Sequence, residues 1–103
     1  MDLELNGYKI KPGANLSYAK LTDADLEGAY MESANLTGAN LSEANLSSAN
    51  LTNANLTRAY MAGVYLTNAN LTGADLTGAN LINANLTRAN LCGATMPDGT
   101  IHY

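Results

Sequence analysis

The sequence predicts an all-β solenoid, a chain wound into a four-sided coil of 20 residues per turn and about four turns long. Three observations carry this. A five-residue phrase, typified by Ala34-Asn35-Leu36-Thr37-Gly38, repeats seventeen times without a break from Ala14 to Asp98. Its two apolar places lie two residues apart. Its remaining places are filled by Asn, Asp, Ser, Thr and Gly, the residues that build turns.

The places are called here small, polar, large, hydroxyl and variable. The small place is Ala except at Val64, and the large place is Leu except at Met31, Met61 and Met96. A period of five suits neither ordinary element. On an α-helix successive leucines would step by roughly 140° and wander round every side. On a straight strand they would fall on alternate faces. A single inner set of leucines therefore needs one bend per repeat. A bend of about a quarter turn closes a square coil every four repeats. Residues twenty apart then sit above one another at about 4.8 Å, the spacing between strands.

Leu16, Leu36, Leu56, Leu76 and Met96 form one inner column by this register, and Met31, Leu51, Leu71 and Leu91 another. Leu21, Leu26, Leu41, Leu46, Met61, Leu66, Leu81 and Leu86 complete the predicted interior. Alanine at the small place keeps so narrow a tube from being overfilled. A solenoid needs no bulky aromatic core, which suits a chain without Trp or Phe.

The phrase Ala-Asn-Leu-Thr-Xaa, sustained from Ala14 to Asp98, resembles the pentapeptide repeat family. The resemblance implies a right-handed quadrilateral parallel β-helix, and it is the resemblance that supplies the handedness. The family is especially abundant in cyanobacteria. Some members mimic duplex DNA in width and charge and protect gyrase from drugs, so an inhibitor or protector of a type II topoisomerase is the alternative function implied.

Residues 1–13 precede the array. Leu3 and Leu5 alternate, Asn6-Gly7 reads as a turn, and Tyr8 and Ile10 alternate again. This segment is expected to be an irregular cap or first partial coil over the N-terminal end. Residues 14–98 are the repeat array, and residues 99–103 the tail after Pro97, which cannot donate to a ladder. If Ile101 and Tyr103 do not fold back over the last coil, its bare apolar end is expected to pair with a second copy.

The net charge of −4 is uneven. Residues 1–43 hold seven acids and three lysines, giving −4, and residues 44–103 hold two acids and two arginines, giving zero. No basic stripe suggests nucleic-acid binding, and no apolar run approaches a membrane span. The start, Met1-Asp2-Leu3-Glu4, does not read as a signal peptide, so a cytoplasmic protein is expected. A processed form from the periplasm or thylakoid lumen would look the same.

No catalytic set is legible. His102 is the single histidine, near the terminus. Cys92 is the single cysteine, at an outward hydroxyl place, so no internal disulfide and no Cys/His metal spacing exists. No cofactor and no metal are expected. The glycines at variable places form no phosphate loop. The regular wording lapses at Ala59-Tyr60-Met61-Ala62-Gly63-Val64-Tyr65. Tyr60 and Ala62, with Ile82 twenty residues above Ala62, are expected to make a small outward apolar patch. Such a patch marks a contact surface. Tyr60, Ala62, Ile82, Ile101 and Tyr103 are therefore the candidate interface residues. A non-enzymatic module that binds an unidentified protein partner through a rigid wall is the reading favoured. Against DNA mimicry, about 20 Å of rod would need about twelve negative charges to match a duplex.

Overall fold

A computed structural model describes residues 3–103; the first two residues of the expected cap lie outside them. From Asn15 onward the chain is a stack of square coils. Every polar place from Asn15 to Asp75 pairs, parallel, with the residue twenty places later, as in Asn35↔Asn55 and Asn40↔Tyr60. Each repeat inside the stack sends three bonds along it, one of them from the variable-place amide, as Gly38 to Thr57 O at 2.9 Å. The Leu36 amide donates upward to Asn55 O at 2.7 Å, and the Asn35 amide donates downward to Ala14 O at 2.9 Å. This is a parallel ladder cut into pieces two residues wide.

Between the pieces lie the corners. The Ala39 amide closes a turn onto Leu36 O at 3.0 Å, and the same bond recurs at every repeat. The third residue of each turn, the variable place, has φ near +60° from Tyr18 through Gly93, the arrangement of a type II turn. Six of these places are glycine, and the others include Tyr18, Glu43, Arg58 and Arg88. The polar side chain holds the corner from outside. Asn35 Oδ1 accepts the Thr37 amide at 3.1 Å and the Thr37 hydroxyl at 2.7 Å, a motif repeated up the stack. Asn and Thr are thus fitted to each other as well as to water.

The small and large places point inward. From Leu16 to Leu76 every large place is buried. The extents, 34 × 22 × 22 Å, fit a rod of square section. Leu81, Leu86, Leu91 and Met96, predicted as interior, are only partly buried. They are seated on the coil below, but no coil lies above them to close the core.

The two ends are finished differently. Strands β1 (Leu3–Leu5) and β2 (Tyr8–Ile10) form an antiparallel hairpin in place of a parallel partial coil. Asn6 and Gly7 both have positive φ, 52° and 84°, as a two-residue type I′ hairpin turn requires. The hairpin meets the lowest coil through side chains. The Lys20 amide donates to Tyr8 Oη at 3.2 Å, and Asn6 Nδ2 donates to Lys20 O at 3.4 Å.

At the other end the quarter-turn rule breaks. The left-handed residue moves from the variable place, Asp98, to Gly99 (φ 86°). The Met96 amide then bonds Thr100 O at 2.7 Å, and the chain reverses. Thr95 pairs antiparallel with Ile101, while the His102 amide reaches Ala94 O at 2.8 Å. The tail therefore covers one side of the last coil.

Candidate interaction surface

Each coil has four sides, identified by the polar residues they stack. The first carries Asn15, Asn35, Asn55, Asp75 and Thr95, and the second Lys20, Asn40, Tyr60 and Asn80. The third carries Asp25, Asn45, Tyr65 and Asn85, and the fourth Tyr30, Asn50, Asn70 and Asn90. Asn–Thr ladders make most of this surface flat and polar.

The lapse at 59–65 wraps the corner between the second and third sides. Tyr60 stands before that corner and Tyr65 after it, and they are 59% and 48% exposed. Ala62 and Gly63 form the corner itself. Ile82, 64% exposed, is stacked on Ala62, because the Gly63 amide donates to Ile82 O at 2.8 Å. Below, the Glu43 amide donates to Ala62 O at 2.9 Å. The Glu43 carboxylate leans against Gly63: a Cβ there would lie 2.8 Å from Glu43 Oε1. The patch is thus Tyr60, Ala62, Tyr65 and Ile82, with one carboxylate set into it.

Ile101 and Tyr103 do not join this patch. Ile101 pairs with Thr95 at the top of the first side, and Tyr103 is 97% exposed. Tyr65, left out of the sequence-predicted patch, belongs to it. Counting only in steps of twenty finds partners within a column, whereas a corner also joins residues five apart.

Two carboxyls titrate below their ordinary range. The Thr77 hydroxyl and amide both donate to Asp75 Oδ1, at 2.5 and 3.0 Å, and hold Asp75 low against a small opposing effect of burial. Thr100 does the same for Asp98. Both are corner-holding contacts of the Asn–Thr kind. Cys92 is exposed. Among the described residues no group of His, Cys, Asp and Glu is placed to hold a metal ion, and no helix is long and apolar enough to cross a membrane. A cavity of about 290 Å³ opens beside the hairpin, lined by residues that include Ile10, Lys11, Glu27 and Tyr30.

The family model for pentapeptide repeats matches in eight copies, over residues 13–47, 39–78 and 59–97. The chain is similar to HetL of the cyanobacterium Nostoc sp. strain PCC 7120, a pentapeptide repeat protein involved in heterocyst differentiation regulation. Identity is 36% over 87% of this chain and 52% of HetL, with a TM-score of 0.44. It is similar to Rfr23 of the cyanobacterium Cyanothece 51142, at 44% identity over 77% of this chain and 57% of Rfr23, TM-score 0.47. A third similar structure is a pentapeptide repeat protein of the Arabidopsis thaliana thylakoid lumen, at 30% identity, 88% and 67% coverage, and TM-score 0.45. The chain thus spans little more than half the length of the first two. No curated protein matches it.

Proposed function

Because the chain belongs to the pentapeptide repeat family, whose model matches most of its length, we propose that it is a non-enzymatic binding module, its coil wound right-handed as in that family. It holds a partner protein against one corner of a rigid rod. The observation that carries this reading is the exposed cluster Tyr60, Ala62, Tyr65 and Ile82 on walls made largely of Asn–Thr ladders, whereas the other exposed tyrosines of the array, Tyr18 and Tyr30, stand on different parts of the coil. Contiguous exposed apolar groups are the usual mark of a contact site, and tyrosine is favoured at the centre of such contacts. The backbone beneath is fixed by ladder bonds on both sides, so little ordering entropy is lost on docking.

The test is capture from the native host with the wild-type chain and with Ile82→Glu as baits. Proteins retained by the first and lost by the second support the module. Identical sets from two equally stable baits count against the patch.

A second copy across the last coil is a second reading. The observation that favours it is the half-buried set Leu81, Leu86 and Leu91 on the three sides that the tail leaves open. The square section, 22 × 22 Å, offers at most about 480 Å² per partner, about 60% of a standard interface, which fits a weak pair only. Sedimentation should then show a weak dimer that Leu86→Lys abolishes.

Charge weighs against the topoisomerase alternative. A duplex 34 Å long would carry about 20 negative charges at one per ~1.7 Å, against a net −4 here. Inhibition of purified gyrase at micromolar concentrations in a supercoiling assay would reverse this ranking.

A further inference from the structure

We infer that the corner of Tyr60, Gly63, Tyr65 and Ile82 docks a protein surface centred on a cationic side chain, arginine above all, with apolar neighbours. This rests on the patch proposed above and adds the chemistry of its partner.

The Glu43 carboxylate is set within the apolar cluster, against Gly63 and between the sides that carry Tyr60 and Tyr65. The cations nearest in the fold stand at other corners or other coils, Arg58 at the next corner along, two residues before Tyr60. Lys20 stands two coils below Tyr60, the stem of Arg58 leans on Gly78, and Arg88 Nε bonds Asn68 Oδ1 at 2.9 Å. The field beneath the patch is negative. Asp23 lies one coil below Glu43 in the same corner column, and Asp25 and Glu27 are on the adjoining third side. Four acids against Lys20 make the coils beneath the patch −3, and Arg58 and Arg88, at the far corners of the two sides, bring the whole sector to −1.

A docking surface of this make-up selects its partner. An anionic protein face, a phosphate backbone or an anionic lipid surface would meet repulsion. A guanidinium meets attraction twice, from the carboxylate and from the negative face of a tyrosine ring within about 6 Å. Its planar fork can bond the carboxylate while lying flat on the ring. Ile82 and Ala62 then take the aliphatic groups beside it. Tyrosine and arginine are also the side chains most enriched where binding energy is concentrated.

The experiment uses two capped peptides, acetyl-Leu-Ser-Arg-Ser-Leu-amide and its counterpart with neutral citrulline for arginine. Each is titrated into the full ¹⁵N-labelled chain while the amides of Gly63, Tyr65 and Ile82 are followed by NMR. Saturable shifts there are expected, with the arginine peptide binding about fivefold more tightly, the size of one exposed ion pair and one cation–π contact together. Glu43→Gln should remove most of that preference and leave the citrulline peptide unchanged. Equal binding of the two peptides at these amides overturns the cationic partner and leaves the apolar patch standing. No shift at these amides with either peptide overturns both.

Discussion

Leu46 and Leu86 belong to one inner column, forty residues apart, yet the fold gives them different weights. Leu46 is fully buried between coils above and below. Leu86 has a coil below and nothing above. Leu46→Ala removes the side chain from a closed, well-packed tube whose ladder bonds resist collapse. The transfer and cavity contributions together cost about 3–4 kcal/mol. For a chain of this size each kcal/mol lowers the thermal midpoint by roughly 4–8 °C, so a fall of at least about 12 °C is expected. Leu86→Ala opens a gap that water already reaches, leaving only part of the transfer contribution, about 1 kcal/mol. Its midpoint should fall by roughly 4–8 °C. Thermal unfolding followed by far-ultraviolet circular dichroism measures both. Calorimetry on the same samples checks that each melts in one step, since a weakened middle coil can uncouple a repeat array. Equal losses for the two substitutions would refute the reasoning, because they would mean that depth in the stack does not set the environment of a large place.

The corners and the ladder give three further predictions. Ser48, at φ 61°, holds a conformation that glycine adopts freely, so Ser48→Gly should raise stability by about 0.5 kcal/mol in urea unfolding. Gly63→Ala should lower it by about 1 kcal/mol, because φ is +69° and the new methyl would crowd Glu43 Oε1; adding Glu43→Ala should relieve only the crowding. Asp75 is held below its ordinary value of 3.8 chiefly by the Thr77 hydroxyl. A carboxyl whose folded value is depressed stabilises the fold fully above its unfolded value and loses that contribution as pH falls through the folded one. Asp75→Asn should therefore lower stability modestly at neutral pH and flatten the acid leg of a stability–pH series below about pH 4, the two chains converging in acid; an unaltered acid leg would contradict the Thr77 contact.

Most of the fold was legible because one rule, a bend every fifth residue, fixes both what points inward and what stacks. Leu16 through Leu76 follow from it directly. Leu81, Leu86 and Leu91 obey the same wording but are half-buried, since burial needs a neighbour and wording does not count neighbours. Residues at the variable place hid the corner geometry. A left-handed residue is signalled by Gly or Asn, and Gly38 or Asn53 would suggest it, but Tyr18, Glu43 and Arg58 blur the signal. The bonds on either side of each corner are enough to hold such residues there. Pro97-Asp98-Gly99 was readable as a stop. Its reversal onto Thr95 depends on the left-handed place shifting by one residue, which the sequence expresses only as Gly99. The apolar patch was readable in part. Tyr60, Ala62 and Ile82 stood out as breaks in polar columns, whereas Tyr65 joins them only because a corner brings adjacent sides together. The carboxylate of Glu43 was visible as charge, but its seat on Gly63 is a property of the stacked backbone.

The most direct test of the coil is disulfide trapping in a Cys92→Ser background. Asn50 and Asn70 are paired one coil apart, at a strand spacing of about 4.8 Å that a disulfide can bridge, whereas Asn50 and Tyr65 stand on different sides. Mild oxidation should join cysteines at 50 and 70 within one chain, rapidly and in high yield, and leave cysteines at 50 and 65 as free thiols. Equal cross-linking of the two pairs, or preference for the pair fifteen apart, would contradict a coil of 20 residues.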